Sequence, residues 1–443
     1  MSTERLPSLL PTPEQAAFQD LELGMFVHFG LYAVTGRFNG ITWCPEGANP
    51  LYSRSLESAD PGIFNPVDFD AGQWAETAAL GGARYLILTA KHHEGFCLWP
   101  TKTTPFRAQR DLVGEVAAAC EAQGIGRGIY LSPWDVHAWH NLKLSDAEYD
   151  DYYQQQLTEL LSGYGPITEI WWDGAGSKHR RHNWRSYYRL VKTLQPNAVI
   201  MGAGCSDVRW VWEMPEEQGL GLDPNWHVVH IPEKAPDEVE RPGGLSLWPQ
   251  DQPAGDYWWP AESYLAMDRF WSGETGLTFA EHLGKDTAHT AEEVVEAWHR
   301  TVGYGLNLVV NFVPRPGGDL VASERASFAE AGKRIRSMYA DDLARGAEVA
   351  VGEGWWEADL GRAVEFDRVV LREEIREGQS IDGFRVFAGD DKGWDEVGGG
   401  GTVGRQRIVV FPVVRAERVR VEFTTVGGAK GKLRSVGVYR GEG

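Results

Sequence analysis

Cysteine is scarce in this chain. The four present, Cys44, Cys97, Cys120 and Cys205, form no Cys-x-x-Cys pair and no metal-finger spacing, which argues against a disulfide scaffold or a structural zinc. No run of about 20 apolar residues occurs, so no membrane-spanning helix is expected. The N-terminal stretch lacks an apolar segment behind a basic start and so does not read as a signal peptide. A cytoplasmic location is the expectation, although a secreted chain stripped of its leader would read the same. Basic residues are in deficit, with 43 Lys and Arg against 63 Asp and Glu, for a net charge of −20. Nucleic acid and anionic membrane both require basic surface, so neither is expected as a partner. No glycine fingerprint follows the first candidate strand, and no Gly-x-Ser-x-Gly elbow is found. A dinucleotide cofactor and an elbow-borne serine nucleophile are both left without support, and no cofactor is expected.

What is present reads as globular. Of 443 residues, 42% are hydrophobic and 24% charged. That length holds a barrel of about 250–350 residues plus a smaller module. The 19 Trp and 15 Tyr either build a large aromatic core or offer ring faces to sugars. Up to about residue 340, short apolar runs alternate with helical periodicity. Candidate strands are 25–29, 85–89, 128–131, 169–172, 198–201 and 306–312. Candidate helices are 71–80, 112–122, 146–161, 185–194, 291–302 and 321–339. Such alternation predicts βαβ units and, repeated at this length, a (β/α)8-like TIM barrel. Strands six and seven are not legible; the stretch 215–285 reads as long loops rich in Trp, Pro and Gly. From about 345 the helical period vanishes and short β-branched runs separated by glycine-rich turns predict a C-terminal antiparallel β-sandwich of galactose-binding type. The expected division is 1–343 for the barrel and 344–443 for the sandwich.

Titratable groups recur where the candidate barrel strands stop. His28 follows the first, Lys91-His92-His93-Glu94 the second, Trp134-Asp135 the third and Asp173 the fourth. Recurrence at one end of a barrel marks an active site. The segment Glu169-Ile170-Trp171-Trp172-Asp173-Gly174 is the most informative: a buried strand, then a carboxylate, flanked by tryptophans that could stack on a sugar. Its competing reading is a helix N-cap. A catalytic metal is not expected, because adjacent histidines on a persisting strand would face opposite sides and no carboxylate cluster completes a site. Two carboxylates acting on a glycoside are the economical choice.

The runs FVHFGLY (26–32), LILTAKHHEGFCLWPTKTTPF (86–106), GIYLSPWD (128–135) and EIWWDG (169–174) together resemble the α-L-fucosidases of glycoside hydrolase family 29. SDVRWV, RTVGYGLNLVVNFVP and FDRVVLREEIREGQSIDGFRVF resemble the subgroup acting on α-1,3/1,4-linked fucose. The resemblance implies a retaining exo-glycosidase that releases terminal fucose from fucosylated oligosaccharides or glycoconjugates. It implies Asp173 as nucleophile and His28, His92 and His93 as holders of the fucose hydroxyls. Trp99, Tyr130, Trp134 and Arg209 are carried as further substrate-binding candidates.

Two segments depart from the family pattern. The acid/base loop lacks the usual Gly-Asn, leaving Glu217, Glu213 and Glu216 as candidates, with Glu217 matching the Glu-x-Gly spacing. After the first strand a Glu-Trp pair is replaced by a stretch ending in Trp43, the remaining candidate there. Two alternatives stay open: a carbohydrate-binding barrel impaired in catalysis, and a retaining glycosidase for another sugar. The sequence leaves the oligomeric state open.

Overall fold

The computed structural model describes residues 9–35, 60–173, 180–204, 206–211, 227–229, 257–269, 286–426 and 429–441. Eight parallel strands form the first unit: β1 (Leu23–Val27), β2 (Tyr85–Lys91), β3 (Gly126–Leu131), β4 (Glu169–Trp172), β5 (Val199–Gly202), β6 (Arg209–Val211), β7 (Ala261–Ala266) and β8 (Asn307–Phe312). Their order is β5-β4-β3-β2-β1-β8-β7-β6. The remaining gap, between β5 and β6, is spanned by the bridge Met201–Val208, which all but closes the ring into the expected barrel.

The strands alternate faces with period two. Phe26, Ile87, Tyr130, Trp171, Met201, Trp210, Tyr264 and Val309 pack into the barrel interior. Their neighbours Val27, Leu88, Ile129, Trp172, Leu308 and Val310 join the outer core beneath the helices. Each such fully buried side chain contributes about 1.5–3 kcal/mol. Besides a five-residue helix at Leu31–Thr35, the helices described are α1 (Pro13–Gln19), α2 (Ala71–Gly81), α3 (Leu112–Gln123), α4 (Asp146–Gly163), α5 (Trp184–Leu194), α6 (Ala291–Thr301) and α7 (Ala322–Met338). Their ends are written locally. Ser145 with Glu148 and Thr290 with Glu293 form capping boxes on α4 and α6, and Gly82 and Gly124 stop α2 and α3 in the left-handed conformation.

The second unit has six antiparallel strands: β9 (Glu348–Gly352), β10 (Trp355–Glu373), β11 (Ile381–Asp390), β12 (Gly393–Gly400), β13 (Arg407–Thr425) and β14 (Leu433–Tyr439). β10 and β13, 19 residues each, pair along their length with register shifts near 359–364 and 366–368. Strands bent at such bulges can serve two layers, as a sandwich requires. The unit packs on the N-terminal end of the barrel. Arg405 pairs with Glu22 at 2.8 Å, just ahead of β1. Gln406 Nε2 donates to Val302 O, ahead of β8, and Trp258, ahead of β7, packs on Ile375.

Buried carboxyls are unusually frequent. Inside the barrel Glu169 and Glu262 approach one another, and Tyr85 Oη donates to Glu262. Burial, and for Glu169 also the charge of Glu262, raises both above the ordinary carboxylate range. Burial likewise lifts Glu373 to about 7 and Glu324 to about 8. These acids are protonated in the fold but ionised in the unfolded chain above about pH 4.5. Between that pH and their folded values the native state therefore binds more protons, and stability falls as pH rises through 7 to 8. Buried His182, His227 and His299 have the opposite sign, with values lowered to about 3, 3 and 4 by burial. Their contribution is lost on acidification from about 6.5 downward. The expected melting temperature is highest between about pH 4.5 and 6.5 and falls on the alkaline side. Glu262→Gln should flatten that alkaline limb. A melting temperature that climbs from neutral to alkaline pH would contradict the assignment.

Candidate active site

Five strand ends converge on one cluster. His28 follows β1, His92 and His93 follow β2, Tyr130 lies in β3, Asp173 follows β4 and Asn311 lies in β8. Tyr130 Oη donates to Asp173 Oδ2 at 3.0 Å, and His93 Nε2 lies 3.4 Å from the same oxygen. The Ser132 hydroxyl donates to Trp134 O at 2.7 Å. Its oxygen therefore takes the Nδ1 proton of His93, 2.6 Å away, so Nε2 is the nitrogen facing Asp173. His28 Nδ1 donates to Asn311 Oδ1 at 2.6 Å, leaving its Nε2 as an acceptor. His92 stacks on the Tyr130 ring, with centroids 5.4 Å apart and planes 13° apart.

Adjacent histidines share this cluster because β2 ends at Lys91. Beyond the strand the period of two no longer applies, and the rings of His92 and His93 come within 4.2 Å. Among the described residues the next helix, α5, is capped by Asn183 and not by Asp173. The Asp173 carboxylate is 15% exposed, enough to meet a ligand, whereas the histidines around it are nearly sealed.

Burial sets the protonation of the cluster. It lowers His28 to about 4 and His92 well below the usual imidazole value. Both are neutral at pH 7 and can donate or accept hydrogen bonds. Burial, helped by the Asp173 charge, keeps Tyr130 protonated as a donor. Glu94, sealed beside His92, is raised by burial to about 8.

A second layer fixes the first. Lys91 Nζ contacts Asp135 Oδ2 and Gln156 Oε1, each at 2.8 Å, with no exposure of either charged side chain. Asp135 follows Trp134, whose ring packs 4.8 Å from that of His93. The ion pair thus ties the β2 histidine turn to the β3 loop. Gly95, at φ +86°, sits where a Cβ would come within 2.3 Å of Asp135 Oδ1, so only glycine lets the two segments interlock.

Several expected site residues lie elsewhere. Trp99 belongs to the outer core, its indole donating to Glu159 on α4 at 2.9 Å. Arg209 opens β6 at the opposite end of the barrel, where its Nε donates to Trp259 O at 3.0 Å and its charge acts on His227. Of the two tryptophans before Asp173, Trp172 packs outward on Trp184 and Tyr187 and Trp171 packs inward on Tyr130 and Trp210. Both are buried, so neither is a sugar platform. Trp258, Trp259 and Glu262, read from sequence as loop residues, stand at the closed end. Trp43, Glu213, Glu216 and Glu217 lie outside the described residues. Asn311 and Ser132 were missed. Asn311 could have been found by extending the inward set of β8 through Asn307, Val309 and Asn311.

The α-L-fucosidase family profile matches residues 3–337. Alpha-L-fucosidase 1 of Arabidopsis thaliana is 29% identical over 91% of this chain and 82% of its own length. A glycoside hydrolase 29 family member from an unknown rumen bacterium superposes with a TM-score of 0.76 at 27% identity, covering 99% of this chain and 78% of that one. A Ruminococcus gnavus GH29 fucosidase, solved in complex with fucose, has a TM-score of 0.79 over 100% of this chain and 97% of its own; at 24% identity that likeness speaks to the fold. Convergence of histidines, a tyrosine and a carboxylate at the barrel mouth, together with a match over three quarters of the sequence, places the chain in the α-L-fucosidase family of glycoside hydrolases.

Proposed function

We propose that this chain is a retaining exo-α-L-fucosidase acting on α-1,3/1,4-linked terminal fucose, with Asp173 as nucleophile. The observation that carries the reading is the partly open Asp173 carboxylate at the end of β4, oriented by Tyr130 and faced by His93. In the first step a carboxylate oxygen of Asp173 bonds to the anomeric carbon as the glycosidic C–O bond breaks, and the leaving oxygen takes a proton from a second acid. In the second step that residue removes a proton from water, which attacks the same carbon and frees the aspartate. Glu217 is the acid the spacing favours, with Glu213 and Glu216 as the other choices.

The histidines suit this chemistry. Neutral His28 and His92 can bind ring hydroxyls without placing positive charge against an oxocarbenium-like transition state. Tyr130 steadies the nucleophile without competing for its role. The linkage preference rests on the likeness of residues 206–211, 300–314 and 366–387 to the α-1,3/1,4 subgroup. Two measurements test the proposal. Proton NMR of the earliest product from an aryl α-L-fucoside should show the α-anomer, whereas a β-anomer appearing first would refute retention. A panel of fucosylated oligosaccharides should be cleaved at 1,3 and 1,4 linkages in preference to 1,2 and 1,6. Fucose binding without hydrolysis of any fucoside would instead favour an impaired carbohydrate-binding barrel.

A further inference from the structure

The loop leaving β3 carries a feature that the fucose-holding cluster does not use. After Asp135 the chain makes a π-helical turn, His137–Asn141. Such turns are rare and concentrate at functional sites. Trp139, on this turn, is 42% exposed. Among the described residues every other tryptophan is buried or half-buried. Its ring lies 4.6 Å from the His140 imidazole, with the planes 31° apart, so the two form one aromatic surface.

This surface is held rigidly. Asp135 O accepts from Trp139 N at 3.1 Å, and Asp135 Oδ1 accepts from Ala138 N at 2.7 Å. Asp135 is itself fixed by Lys91. The surface lies on the segment that follows β3, at the same end of the barrel as the histidine cluster. Trp134, five residues earlier, packs on His93. On the other flank the Arg180 guanidinium donates to Leu144 O at 3.2 Å and Ser145 O at 3.0 Å, just past the turn.

We propose that Trp139 and His140 form a platform for the saccharide beyond the scissile bond, the indole packing against the C–H face of a neutral hexopyranose. This rests on the fucosidase reading above and names the side of the substrate that the reading leaves open. A sugar bound to the histidine cluster presents its leaving group toward the mouth, where an exposed, pre-ordered ring is the natural partner for an apolar sugar face. The net charge of −20 favours a neutral saccharide there over a sulfated or sialylated one.

Two substrates separate this platform from the catalytic centre: a fucosylated trisaccharide, and α-L-fucosyl fluoride, which has no ring beyond the scissile bond. Trp139→Ser should raise KM for the trisaccharide about 3- to 10-fold, in line with a single stacking contact, and leave kcat/KM for the fluoride within about twofold. Trp139→Tyr should recover part of the loss. An equal change on both substrates, or none on the trisaccharide, would overturn the proposal. If the wild type cleaves neither compound, the fucosidase reading fails separately. Calorimetry with a galactosyl-N-acetylglucosamine disaccharide then decides the platform: weaker binding by Trp139→Ser supports it, and equal affinity rejects it.

Discussion

Asp173→Ala is expected to reduce kcat/KM for an aryl α-L-fucoside by at least about 10³-fold, the scale on which removal of a covalent nucleophile acts. The loss should fall on kcat, because the proposed fucose contacts of His28, His92 and His93 do not pass through this side chain. Fucose should therefore still bind, and calorimetry on the variant checks that. Folding should be little affected. The carboxylate is partly open, and Tyr130, which donates to it, and His93, which lies beside it, both keep other packing. In Asp173→Gly, added azide should enter the vacated space, displace the aglycone and yield a fucosyl azide of inverted configuration. Near-wild-type turnover in either variant would remove Asp173 from the chemistry.

The second large effect is expected in stability. Lys91→Met leaves the Asp135 carboxylate buried without its cation. Breaking a buried pair from one side costs about 3–5 kcal/mol, so the urea midpoint should drop steeply. The Lys91→Met/Asp135→Leu double variant removes both charges and should recover much of that loss, because two apolar side chains leave no unpaired charge. The Tyr149, Tyr152 and Tyr153 rings, 5.2–5.7 Å from Lys91 Nζ, provide an apolar lining that can accept them. Additive losses in the double variant would show that the two charges are not coupled. Because Asp135 also holds the loop of Trp134, either single variant should lower kcat as well as stability.

Much of the barrel was legible because its strands are apolar runs of four to seven residues with groups of known chemistry at one end. β6 and β7 were not. β6 is three residues long, too short to show a period, and β7 reads Ala-Glu-Ser-Tyr-Leu-Ala with a glutamate facing the interior. Burial there is made tolerable by protonation and by Tyr85, which no local pattern announces. In the site, Asp173, the three histidines and Trp134 were found from their places at strand ends, and Tyr130 from the family resemblance. Trp99 and Arg209 were misplaced for a common reason: a motif gives position along the chain but not the face on which a side chain emerges. Trp99 emerges toward α4, and Arg209 stands at the first residue of its strand instead of past the last.

The central claim, a covalent bond from Asp173 to fucose, is open to direct observation. A 2-deoxy-2-fluoro-α-L-fucosyl fluoride destabilises both oxocarbenium-like transition states through its ring fluorine, while the fluoride leaving group keeps the first step feasible, so the intermediate accumulates. Peptide mass spectrometry of the inactivated protein should place the added fluorofucosyl mass on Asp173. A label on another residue, or inactivation without any covalent adduct in a protein that turns over fucosides, would contradict the account.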